Sequence, residues 1–120
     1  MKKVLYYFFT LVVLLISSCL KEKGPVPSVQ CSGLNVSYSA TIKTIIDTKC
    51  AISGCHVAGG NGNGDFTTYA GVKAKIGTNN DPFNNRLFVL GDMPQAGSPT
   101  LTDDEKQKIK CWLEAGALNN

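Results

Sequence analysis

The chain has 120 residues, of which 43% are hydrophobic, a length that supports one domain rather than several. Twelve basic residues face nine acidic ones, and setting aside Lys2 and Lys3 of the leader leaves ten against nine, a formal charge near +1. So slight a surplus, with no basic helix patterned to read bases, argues against a nucleic-acid partner.

Met1-Lys2-Lys3 opens a positive start, and residues 4–16 form a thirteen-residue run that is apolar apart from Thr10. A bilayer-spanning helix needs ~20 such residues; the shorter run fits the core of a signal peptide. The junction Ile16-Ser17-Ser18-Cys19 resembles a bacterial lipobox. It predicts removal of residues 1–18 and acylation of Cys19, the alternative being a plain secretory signal with an incidental cysteine. Several acyl chains anchor a protein durably, so the expected address is the cell envelope, membrane-bound and facing the periplasm or the exterior. Residues 20–30 include Lys21, Glu22, Lys23, Gly24, Pro25 and Pro27 and have almost nothing to bury. Residues 19–30 therefore read as a lipid-anchored tether reaching on the order of 35 Å at ~3.1 Å per residue. Residues 31–120 form the folded domain.

Tyr38, Ile42, Ile45 and Ile46 recur on one helical face, with Ser37 or Ser39 available as a cap. This helix runs directly into Cys50-Ala51-Ile52-Ser53-Gly54-Cys55-His56. Two thiols followed at once by an imidazole suit c-type haem attachment, in which each thiol adds across one vinyl group and the histidine ligates iron. The usual spacing has two residues between the cysteines; here there are four. Residues five apart in a helix lie ~7.5 Å apart along the axis and diverge by ~140°. The backbone must therefore bulge, and Gly54 is where it is free to do so. Spacing alone leaves open a local Cys50–Cys55 disulfide.

Residues 57–64 contain Gly59, Gly60, Gly62 and Gly64 and read as a flexible connector, without a phosphate-binding pattern. A short amphipathic helix is expected over residues 67–75, weakened by Gly71, followed by a turn-rich stretch with a strong breaker at Asn79-Asn80-Asp81-Pro82. Residues 86–90 are a short apolar run, one helical turn or a strand-like wall. Met93, the one methionine beyond the leader, sits in the loop-type sequence Gly91-Asp92-Met93-Pro94. A lone methionine more often fills core, but a polar, proline-braced loop favours a ligand. His56 and Met93 would then be an axial pair of the kind that raises a haem's potential.

The last helix has a capping box from Thr102 to Glu105, Asp103 and Asp104 in its first turn, a buried stripe of Ile109, Trp112 and Leu113, and a stop at Gly116. With Cys19 acylated and Cys50 and Cys55 on haem, Cys31 and Cys111 remain as an even pair. An exported protein permits disulfides, so the two are expected to bridge and staple the start of the domain to its last helix; unpaired thiols are the alternative. A zinc site lacks a suitably spaced fourth ligand beside Cys50, Cys55 and His56.

Residues 41–46 before Cys50, then Gly54-Cys55-His56, Met93-Pro94, Leu101-Thr102-Asp103-Asp104-Glu105 and Trp112-Leu113-Glu114-Ala115-Gly116-Ala117 stand in an order that resembles a small single-haem cytochrome c domain. The chain is also similar to bacterial cytochrome lipoproteins with the widened Cys-x4-Cys-His spacing. The resemblance covers residues 38–120. It implies an all-α fold whose N- and C-terminal helices cross around one covalent haem c. Cys50 and Cys55 would form the thioethers, His56 and Met93 would ligate iron, and Arg86 would meet a haem propionate. A Gly- and Asn-rich domain of this size has a thin core, which a covalent macrocycle would fill.

The function expected is electron transfer, with iron cycling between Fe(II) and Fe(III) and neither a small-molecule substrate nor nucleic acid bound. Redox proteins would dock at an exposed haem edge flanked by Lys43, Lys49, Lys73 and Lys75, on a monomer or a subunit of a respiratory assembly. Two alternatives stand beside it. Without Met93 as ligand, an open iron position suits a gas sensor or peroxidase; without haem, the chain is a disulfide-stapled surface lipoprotein.

Overall fold

A computed structural model describes residues 30–77 and 81–120. The leader, Cys19, nearly all of the tether and the breaker residues Asn79 and Asn80 lie outside them. Among the described residues the fold is all-α, without strands, and no helix is long and apolar enough to cross a membrane.

Helix α1 begins as a π-helical stretch, Tyr38–Ile42, and continues as α-helix, Lys43–Lys49. Ser37 is the cap: its side chain accepts from the Ala40 amide. Tyr38, Ile42, Ile45 and Ile46 are all buried, as the periodicity requires. The other amides of the first turn, which have no partners within the helix, are met from the far end of the chain. Asn120 accepts from Tyr38 N through Oδ1 (2.9 Å) and from Ser39 N through its backbone oxygen (2.8 Å).

Helix α2, Tyr69–Lys73, is shorter than expected. Asp65 takes the Thr67 amide and hydroxyl into a local turn, and Thr68 stays extended to cap the helix through Gly71 N. Helix α3 is α-helical over Pro82–Asn84 and π-helical over Asn85–Val89. The apolar run 86–90 is thus helical, with Phe83 and Leu87 buried four residues apart and Val89 and Leu90 exposed. Pro82 suits a first-turn position, where its missing N–H costs nothing.

Helix α4, Asp103–Glu114, has the reciprocal capping box: Glu105 N donates to the Thr102 hydroxyl (3.2 Å) and Thr102 N to Glu105 Oε2 (2.7 Å). It ends in a Schellman arrangement, with Ala117 N on Trp112 O and Gly116 N on Leu113 O. That geometry needs a left-handed residue, supplied by Gly116 at φ +94°. Ile109 and Trp112 are fully buried. Trp112 lies against Tyr38, whose ring also meets Tyr69 edge-on at 5.0 Å. The Tyr38 hydroxyl is buried without a hydrogen-bond partner among the described residues, and burial pushes its ionisation up. The last turn is bracketed by Trp112 Nε1 on Leu118 O, Tyr69 OH on Ala117 O and Lys73 Nζ on Gly116 O.

Cys111 is buried because the N-terminal arm covers it: Cys31 and Cys111 form a disulfide across 80 residues, with Cα atoms 5.4 Å apart. Gln107 Nε2 adds a hydrogen bond to Gln30 O. Closing so long a loop restricts the unfolded chain, so Cys31→Ala should lower stability by about 2–4 kcal/mol. Denaturant unfolding of the oxidised proteins measures it, and added reductant should bring the parent chain to the level of the variant.

Candidate functional site

Helix α1 stops at Cys50. The amides of Cys50 and Ala51 both donate to Ile46 O, after which the chain leaves the helix axis. Cys55 N reaches Ile52 O, and His56 N reaches Cys50 O at 3.2 Å, so the segment folds back into a closed loop. Gly54, at φ +79°, makes the reversal. Cys50, Cys55 and His56 thereby line one cavity of about 350 Å³, together with Phe66, Phe83, Arg86, Leu87, Met93 and Pro94. Both cysteines carry free thiols, Cys50 buried and Cys55 half-buried. Among the described residues no three His, Cys, Asp or Glu side chains converge as a metal-ion cluster.

The imidazole is fixed from two sides. Its Nδ1 lies 3.3 Å from Gly64 O, and a carbonyl only accepts, so Nδ1 carries the proton in the neutral ring and Nε2 is left with a lone pair. Phe66 stacks on the ring with centroids 4.2 Å apart and planes 2° from parallel, and its amide donates to His56 O. A backbone carbonyl on one ring nitrogen is the usual support of a metal-ligating histidine.

The glycine-rich segment is not the loose connector that its composition suggests. Asn61 N bonds Gly54 O and Gly62 N bonds Cys55 O, so the segment wraps the cysteine–histidine turn. A Cβ on Gly60 would collide with Cys55 O, and one on Gly62 would sit 2.7 Å from His56 Nδ1. These glycines permit backbone to lie against the histidine. Their position directly after His56 was the available signal.

Met93 is half-buried and packs against the core, preceding a cis peptide bond to Pro94. Its loop is clamped at the base: Arg86 Nε donates to Asp92 Oδ1 at 2.6 Å, and Asp92 N donates to Arg86 O at 3.1 Å. Arg86 thus lines the cavity while paired to the residue before Met93. Lys49 and Lys75 also line it, whereas Lys43 pairs with Asp47 and Lys73 reaches Gly116 O. Among the described residues no Asp or Glu lines the cavity. Burial first, then nearby Cys55 and Glu105, push the Cys50 thiol up to about 11.

Comparison of the chain with protein-family models, curated proteins and solved structures finds no significant match.

Two outcomes follow from this geometry. Gly62→Ala forces a shift of the imidazole or the loop and should cost about 1–3 kcal/mol of stability, read by denaturant unfolding. The Cys50 thiol ionises at its ordinary 9.0 in the unfolded chain but near 11 when folded. Between those values the unfolded state gives up a proton that the folded state keeps. The protein should therefore hold this stability below pH 9 and lose it as pH rises towards 11, by ~1.4 kcal/mol per unit and about 2–3 kcal/mol in all. Comparing the pH dependence of unfolding with that of Cys50→Ala isolates the thiol, since the variant should lack this loss.

Proposed function

We propose that this domain is an electron-transfer c-type cytochrome, carried on the cell envelope by a lipid on Cys19. One observation carries the proposal: Cys50, Cys55, His56 and Met93 come from two separate stretches of chain yet line the same cavity. The residues suit a haem. Two thiols stand beside an imidazole whose tautomer is set by Gly64 O, a thioether comes from another loop, and the walls include Phe66, Phe83 and Leu87. When bound, haem iron would supply reversible one-electron exchange between Fe(II) and Fe(III).

The chain's part is to hold and to shield. Cys50 and Cys55 would tether the macrocycle through sulfur; His56 and Met93 would ligate its iron. Phe66, Phe83 and Leu87 exclude water, and the clamps on His56 and on the Met93 loop limit movement. Among the described residues the lining has one imidazole, already oriented, and no carboxylate. Peroxide chemistry needs an acid–base partner beside an open iron position, which this lining does not offer. Electron exchange needs none. Lys49 and Lys75 at the cavity favour redox partners with acidic docking faces.

Expression with an export signal and haem-attachment machinery should give a protein with a Soret band and the mass of one added haem. Its ferric form should show the far-red band of a thioether–iron bond, and Met93→Ala should abolish that band while retaining the haem. A purified chain without tetrapyrrole, its Cys50 and Cys55 joined to each other, would refute the proposal.

A further inference from the structure

Among the described residues the cavity is lined by three cations, Lys49, Lys75 and Arg86, and by no anion. Two of the three have carboxylates of their own. Arg86 is bonded to Asp92 at 2.6 Å, and Lys49 lies 3.8 Å from Glu105. Lys75 differs: its Nζ is held by Asn63 Oδ1 at 3.0 Å, a neutral acceptor, and no ion pair is formed to it among the described residues.

Lys75 is nevertheless a positioned side chain. Its backbone carbonyl accepts from Phe83 N, at 3.1 Å, on the cavity wall. Its stem crosses Gly64 so closely that a Cβ there would lie 2.8 Å from Lys75 Cε. The carbonyl of the same Gly64 faces His56 Nδ1. The ammonium is thus placed by the very peptide that orients the imidazole, and Asn63 steers it without neutralising it.

We infer that Lys75, rather than Arg86, receives a carboxylate of the bound tetrapyrrole, with Asn63 holding its ammonium in place; this rests on the haem reading above. Arg86 then acts on the Met93 loop through Asp92. A charge-assisted hydrogen bond to a ligand carboxylate is stronger than a neutral one. It vanishes when that carboxylate is esterified.

The test uses the mature full chain, purified without attachment machinery, and zinc mesoporphyrin as the free diacid and as its dimethyl ester. This porphyrin has no vinyl groups, so the thiols cannot bond to it, and its fluorescence reports binding. The parent chain should bind the diacid about tenfold more tightly than the ester. Lys75→Met should erase that preference, Lys75→Arg should keep it, and Asn63→Ala should weaken it in part. Arg86→Met should keep it. A preference that survives Lys75→Met, or that is lost in Arg86→Met instead, overturns the assignment and leaves the haem reading standing. If neither porphyrin binds any of these chains, the haem reading fails and the assignment falls with it. Circular dichroism of each variant separates lost recognition from lost folding.

Discussion

Two cysteines five residues apart cannot share a helix face, and the local architecture follows from that mismatch. Helix α1 carries a continuous buried stripe as far as Ile46 and then ends at Cys50, where two amides compete for one carbonyl. The chain must reverse to bring Cys55 and His56 to the same cavity. Gly54 supplies the left-handed residue, and the bond from His56 N to Cys50 O closes the reversal. A closed turn of this kind exposes backbone carbonyls, which the following glycine-rich segment covers with its own amides. The histidine is therefore held by main chain on one side and by Phe66 on another, rather than by a helix.

The rest of the domain supports that turn by fixing both ends of α1. The first-turn amides of α1 are capped by Asn120, whose segment is in turn held by Trp112, Tyr69 and Lys73. Helix α4 is consequently joined to α1 through side-chain packing and through the tail that follows it. Its other flank is fastened by Cys31. With so few large apolar side chains available, these directional contacts contribute what a thicker core would otherwise provide.

Apart from the Cys31–Cys111 pair, reached by counting cysteines, the features legible from sequence were those encoded locally. The stripe of α1, the capping box of α4 and the glycine stop after it each depend on residues within a few positions of one another, and each is present. The break after Cys50 was legible on the condition that both sulfurs serve one site, since an unbroken helix turns them apart. Less was visible where a residue's role depends on what approaches it from elsewhere. Gly60 and Gly62 look like any loop glycines until Cys55 O and His56 are placed beside them. Asn120 as a cap for α1 lies 82 positions from its partner. Arg86 as a propionate partner comes only from the resemblance, and which carboxylate it meets depends on how α3 winds. The wide turns of α1 and α3 leave no mark in a pattern of apolar residues.

The two thiols are unequal in a way that bears on selectivity. Both sulfurs line the cavity, but Cys55 is half-buried whereas Cys50 is buried, which pushes its thiol up to about 11. A reagent must pass through the cavity to reach the Cys50 sulfur. The shape of the interior therefore bears on what can meet that sulfur more than on what can meet Cys55.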